Sequence, residues 1–146
     1  TQSRSSAASD VYKRQITNKA KQKVALFLKE FFQLANVGAG GDSTNPNQNV
    51  LDVPILAANT ATTNAISDDT TIDFTVSYTG TQLEGNTIRE LGIFSATAPA
   101  DDQFDELITT TSYGVETTLL SRINFNAVGP FANSDQIDIT LTIEVE

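Results

Sequence analysis

The chain has 146 residues, 39% of them hydrophobic and 18% charged, the length and composition of one globular domain with a single core. It contains no His, Cys, Trp or Met, which excludes relays built on His or Cys, thiolate or imidazole metal sites, redox dithiols and disulfides within it. The net charge of -9 is unevenly placed: residues 1–30 carry seven basic and two acidic side chains, whereas residues 31–146 carry only Arg89 and Arg122 against sixteen acids. A body this acidic repels phosphate backbones, so no nucleic-acid partner is expected. There is no run of 18 apolar residues, no membrane span is expected, and no apolar segment with a cleavage site follows the basic start.

The chain begins Thr1-Gln2-Ser3-Arg4, without a Met. Residues 10–15, Asp10-Val11-Tyr12-Lys13-Arg14-Gln15, resemble the translation of a transposon mosaic-end sequencing adapter. Residues 1–15 are therefore expected to be a non-native segment packed against nothing, with a native domain spanning residues 16–146; a disordered Ser/Ala-rich tail is the alternative. From residue 17 to residue 35, Ala20, Val24, Phe27, Leu28, Phe31, Leu34 and Ala35 recur at helical steps, which predicts an amphipathic helix over 17–35. Val37-Gly38-Ala39-Gly40-Gly41 is expected to end it. Phe27, Phe31 and Phe32 suit a helix docked on a sheet, or one that packs against a neighbouring subunit with Phe32 facing the partner. A membrane-surface helix is a weaker reading, since no second anchoring signal is present. The glycines do not form a phosphate cradle, because a helix rather than a strand precedes them and Asp42-Ser43 rather than Lys-Ser/Thr follows.

Beyond the glycines the period becomes two. Ile72, Phe74, Val76 and Tyr78 alternate with polar residues, as do Ile137, Ile139, Leu141, Ile143 and Val145. Further strands are predicted over 87–94 and 119–125, with a weaker one over 108–113. The prolines Pro46, Pro54, Pro99 and Pro130 all fall between these runs, and twenty threonines favour strands. The expected fold is mainly β: an antiparallel β-sandwich of six to eight strands with one N-terminal α-helix. The terminal strand, with five inward apolar residues, is expected at the centre of its sheet.

Residues 85–94 (Gly85-Asn86-Thr87-Ile88-Arg89-Glu90-Leu91-Gly92-Ile93-Phe94), residues 119–125 (Leu119-Leu120-Ser121-Arg122-Ile123-Asn124-Phe125) and the alternating strand after Asp135 occur in a distinctive order. This ordered set, with the glycine-rich stretch 37–41 upstream, resembles small virion proteins of tailed phages, of the tail-fibre, collar and baseplate-associated type. The resemblance spans residues 24–146. The long acidic run 96–114 departs from it, because those proteins often have a short turn there. The resemblance implies a non-enzymatic structural subunit located in the virion, working as a homo-oligomer or with other virion proteins.

Arg89 and Arg122 are the only basic residues after Lys29, and both fall within predicted strands. A structural ion pair of Arg122 or Arg89 with Glu90 is expected to hold strands in register, with a subunit-to-subunit pair as the alternative. Phe27, Phe31, Phe32, Arg89, Glu90 and Arg122 are the candidate interface residues. The acid pairs Asp68-Asp69, Asp101-Asp102 and Asp105-Glu106 lack the spacing of a calcium loop and read as solvated loop charge. No catalytic residue, metal or cofactor is expected. A glycan- or receptor-binding module, with Tyr78 and Tyr113 as stacking residues, is the alternative function; an acid-only glycosidase is a third.

Overall fold

The computed structural model describes residues 16–95 and 117–146. Helix α1 (Asn18–Phe31) opens on Thr17, whose side chain accepts from the Ala20 amide at 3.2 Å and satisfies one of the unpaired N–H groups of the first turn. Ala25 and Phe31 are its buried residues, with Phe27 and Leu28 half-buried beside them; Val24 and Leu26 face outward at 41% and 50% exposure. The helix therefore docks on a narrower stripe than the sequence spacing indicates, and Val24 is not part of it.

The predicted helix 17–35 is too long at its C-terminal end. It stops at Phe31 because Asn64, from strand β3, donates its side-chain amide to the Lys29 and Phe32 carbonyls at 2.8 and 2.7 Å, capping the end of the helix. Leu34 and Ala35, predicted as the end of the helix, instead open strand β1 (Leu34–Gly38). Strand β2 (Thr60–Ala61) flanks β1 on one side. Next come β3 (Thr63–Asp68), β4 (Thr71–Thr79), the one-turn helix α2 (Gly80–Leu83), β5 (Ile88–Phe94), β6 (Leu119–Val128) and β7 (Gln136–Glu144). Helix α2 starts in a capping box, in which Thr79 and Gln82 satisfy each other's backbone amides. The weaker predicted strand over 108–113 lies outside the described residues, as does the segment 1–15.

The strands form two antiparallel sheets, ordered β2-β1-β5-β6 and β3-β4-β7. Ile72, Phe74, Val76 and Tyr78 of one sheet and Ala35, Val37, Leu91 and Ile93 of the other belong to a single buried cluster, together with Phe31 and Phe32. The fold is thus a mainly β antiparallel sandwich with an N-terminal helix. The outer face of the three-stranded sheet is polar. Thr75 and Thr140 share a hydroxyl hydrogen bond at 3.0 Å, and Thr142 donates to Asp73 at 2.7 Å.

One expectation about this sheet is overturned. Strand β4, not β7, is central; β7 pairs along its whole length with β4 and, among the described residues, has no strand on its other side. Its apolar residues are consequently half-buried, whereas those of β4 are fully buried. Alternation reports that one face of a strand is covered, but it carries no information on how many neighbours the strand has.

Candidate functional site

On β5, Leu91 and Ile93 point into the sandwich, so Glu90 and Gly92 point to the opposite face of the sheet. On β6, Arg122 pairs with Gly92 and Asn124 with Glu90, which puts all four residues on that outer face. Residues 39–59 lie over it, with Leu51 buried against Gly92. Glu90, Gly92 and Arg122 are therefore buried on a face that is not apolar, while Asn124 at its margin stays exposed.

Glu90 is the point to which the covering loop is tied. Its Oε2 accepts from the Gly40 and Val53 amides, both at 2.8 Å, and its Oε1 accepts from the Asp52 amide at 2.9 Å and from Arg122 Nε at 2.6 Å. The Glu90 side chain is fully buried and that of Arg122 is 1% exposed. Arg122 Nη1 reaches the Asp42 carbonyl at 2.9 Å and Gln48 Oε1 at 3.4 Å, and the Asn124 side chain donates to the same Asp42 carbonyl at 2.6 Å. Arg122 Nη2 is buried without a hydrogen bond among the described residues. At the root of the loop, the buried Asn36 side chain donates to the Leu56 carbonyl at 2.9 Å.

These contacts explain the glycine run in physical terms. A Cβ on Gly38 would collide with the Glu90 carboxylate and come within 2.5 Å of the Val53 carbonyl; one on Gly40 would meet Asp52 and Glu90. Gly41 has only Arg89 Cδ nearby, at 4.0 Å. The first two are glycines because a carboxylate and a backbone occupy the space a side chain would need. Rather than capping a helix, as its glycines suggest, the run leads from strand β1 into the anchored loop.

Burial works against ionisation of Glu90, but the Arg122 hydrogen bond and the Val53, Asp52 and Gly40 amides outweigh it and hold the carboxyl below its ordinary value. Such a group contributes stability that is fully present above its unfolded pKa and is lost as pH falls through the lower folded one. The stability gap between the wild type and Glu90→Gln, followed by urea denaturation, is therefore expected to be widest above about pH 5 and to narrow below about pH 4.

Of the two ion pairs left open by the sequence, the structure forms Arg122 with Glu90. Arg89 is exposed and makes no ion pair among the described residues. Phe27 stacks on Phe31 with ring centroids 4.9 Å apart, and Phe31 meets Phe32 edge-on at 5.3 Å. Phe31 and Phe32 are 9% and 7% exposed, within the chain's own core, which corrects the expectation that Phe32 faces a partner. Phe32→Ser is accordingly expected to act on the fold, lowering unfolding free energy by about 3–5 kcal/mol in denaturant titration. Tyr78 is fully buried and not available to stack on a sugar; burial raises its pKa, with the Thr60 side chain partly offsetting this. Tyr113 and the pairs Asp101-Asp102 and Asp105-Glu106 lie outside the described residues, and Asp68 and Asp69 are exposed on the β3–β4 turn.

Among the described residues no group of three acidic side chains could hold a metal ion, and no helix is long and apolar enough to cross a membrane. No protein-family model and no curated protein matches the chain.

Proposed function

We propose that this chain is a non-enzymatic structural subunit of a tailed-virus particle, acting by assembly with its own copies and other virion proteins in the tail, baseplate or neck. The observation that carries this reading is the convergence of three separated segments at one static cluster. The glycine run 37–41, β5 and β6, three of the four segments that carry the resemblance to phage virion proteins, meet at Glu90. The carboxylate accepts from four donors and has no exposed surface, so it is not placed to move a proton to or from a ligand. The buried ion pair of Glu90 and Arg122 fixes a loop to a sheet, which suits a part that holds its shape. The glycan-binding alternative loses support with the burial of Tyr78.

The test is co-expression of the chain with the proteins encoded beside it, followed by affinity purification and light scattering. A defined complex with tail, baseplate or neck components is the expected result. A chain that joins no such component, and instead binds on a glycan array or hydrolyses a glycan, overturns the proposal.

A further inference from the structure

Among the described residues the two sheets have four edge strands, β2, β6, β3 and β7, and β7 differs from the other three. Strand β2 is two residues long, β3 is interrupted by a bulge between Ile66 and Asp68, and β6 meets β5 through register shifts at both ends of their ladder. Short strands, bulges and irregular register are devices that keep an edge from recruiting another strand. Strand β7 has none of them: it is nine residues long, in unbroken register with β4, and free of Pro, Gly and Lys. Its inward row, Ile137, Ile139, Leu141 and Ile143, is only half-buried, so a further strand would complete its cover.

We infer that β7 is a self-association edge, pairing antiparallel with β7 of a second copy about a two-fold axis at Thr140. This deepens the proposed assembly role by naming the surface that copies use. In that register Thr140 meets Thr140, Ile139 meets Leu141, Asp138 meets Thr142, Ile137 meets Ile143 and Gln136 meets Glu144. All nine residues pair and no like charges stand directly opposite, an arrangement that would be destabilising. The neighbouring registers are worse. Centring on Asp138 opposes that acid with itself, centring on Leu141 opposes Asp138 with Glu144, centring on Thr142 opposes Asp138 with Glu146, and centring on Ile139 pairs only residues 136–142 within the strand. The two apolar rows then lie side by side on the core side of a continuous six-stranded sheet. Asp138 and Glu144 of the two copies become diagonal neighbours, so added salt strengthens the association by screening them.

The chain has no Cys, which makes single-Cys variants clean reporters of register. Under mild oxidation of the full chain, Thr140→Cys is expected to form a covalent dimer by itself. Asp138→Cys and Thr142→Cys should each dimerise poorly alone and cross-link when mixed. Thr140 is exposed, so charge variants there leave the core intact. Thr140→Lys and Thr140→Glu should each weaken self-association at least about threefold in sedimentation, and an equimolar mixture should restore it. A wild-type chain that stays monomeric at high concentration, or Cys variants that cross-link without this pattern, overturns the edge. Either result leaves the assembly role standing if the chain still joins co-encoded virion proteins. A β7 dimer that joins none of them overturns the role and keeps the edge.

Discussion

Glu90→Ala is expected to lower the unfolding free energy by about 3–5 kcal/mol, the range for removing one partner of a buried ion pair, as measured by equilibrium urea denaturation. The variant leaves the Arg122 guanidinium without its counter-charge and strips the acceptor from the Gly40, Asp52 and Val53 amides. Each buried donor left unmade adds a desolvation penalty of about 1–3 kcal/mol unless water enters, so partial opening of residues 39–53 is the expected relief. A second variant separates the ion pair from the loop anchor. For a simple buried pair, replacing both charges with apolar groups of similar size is often neutral or stabilising. Here Glu90→Leu combined with Arg122→Met should remain well below wild type, because the three loop amides still lack an acceptor. Recovery of wild-type stability by the double variant would show that the amides are satisfied in some other way and that Glu90 is only a counter-ion.

Within one five-residue run, Gly38→Ala and Gly41→Ala are expected to differ sharply. At Gly38 a methyl meets the Val53 backbone and the Glu90 carboxylate, neither of which can rotate aside without breaking the hydrogen bonds that hold the loop. Overpacking of this kind costs about 1–3 kcal/mol, and the upper end is expected because the carboxylate is displaced from its donors as well. At Gly41 the methyl reaches only the flexible Arg89 side chain at van der Waals distance, so a change within about 0.5 kcal/mol is expected. The pair of melting curves is the measurement. Equal losses at the two positions would mean that the run is constrained by backbone conformation rather than by the approach of Glu90.

Four of the seven described strands were legible; β2 and β3 were not, since β2 is only two residues long and in the half-buried row of β3, Asn64 and Ile66, only Ile66 is apolar. Strands β4 and β7 show strict alternation, and β5 and β6 were found within one to three residues of their observed ends. Strand β1 was not legible, because its residues from Ala35 onward are buried and supply no polar partner in the alternation, while Leu34 and Ala35 also fit the helical spacing before them. What separated strand from helix was Asn64, thirty or more residues away, which no local pattern exposes. At the site, the Glu90–Arg122 pairing could be named from two isolated arginines beside an acid in strands. The loop anchor could not, although a trace was present: small or polar residues at Glu90, Gly92, Arg122 and Asn124 share one face, opposite two glycines spaced by two.

The guanidinium of Arg122 has a consequence for what the loop can accommodate. Its Nη1 touches both the Asp42 carbonyl and the Gln48 side chain, and so clips together the two ends of the exposed stretch 43–47. Along that stretch Asn47 and Gln48 donate their amides locally, back to Asn45. The tip is thus a small handle closed at its base by one side chain, and extra peptide inserted there would extend outward without passing its length on to the sheet. Residues 43–47 are thus the place where foreign sequence could be displayed while the sandwich beneath stays as it is.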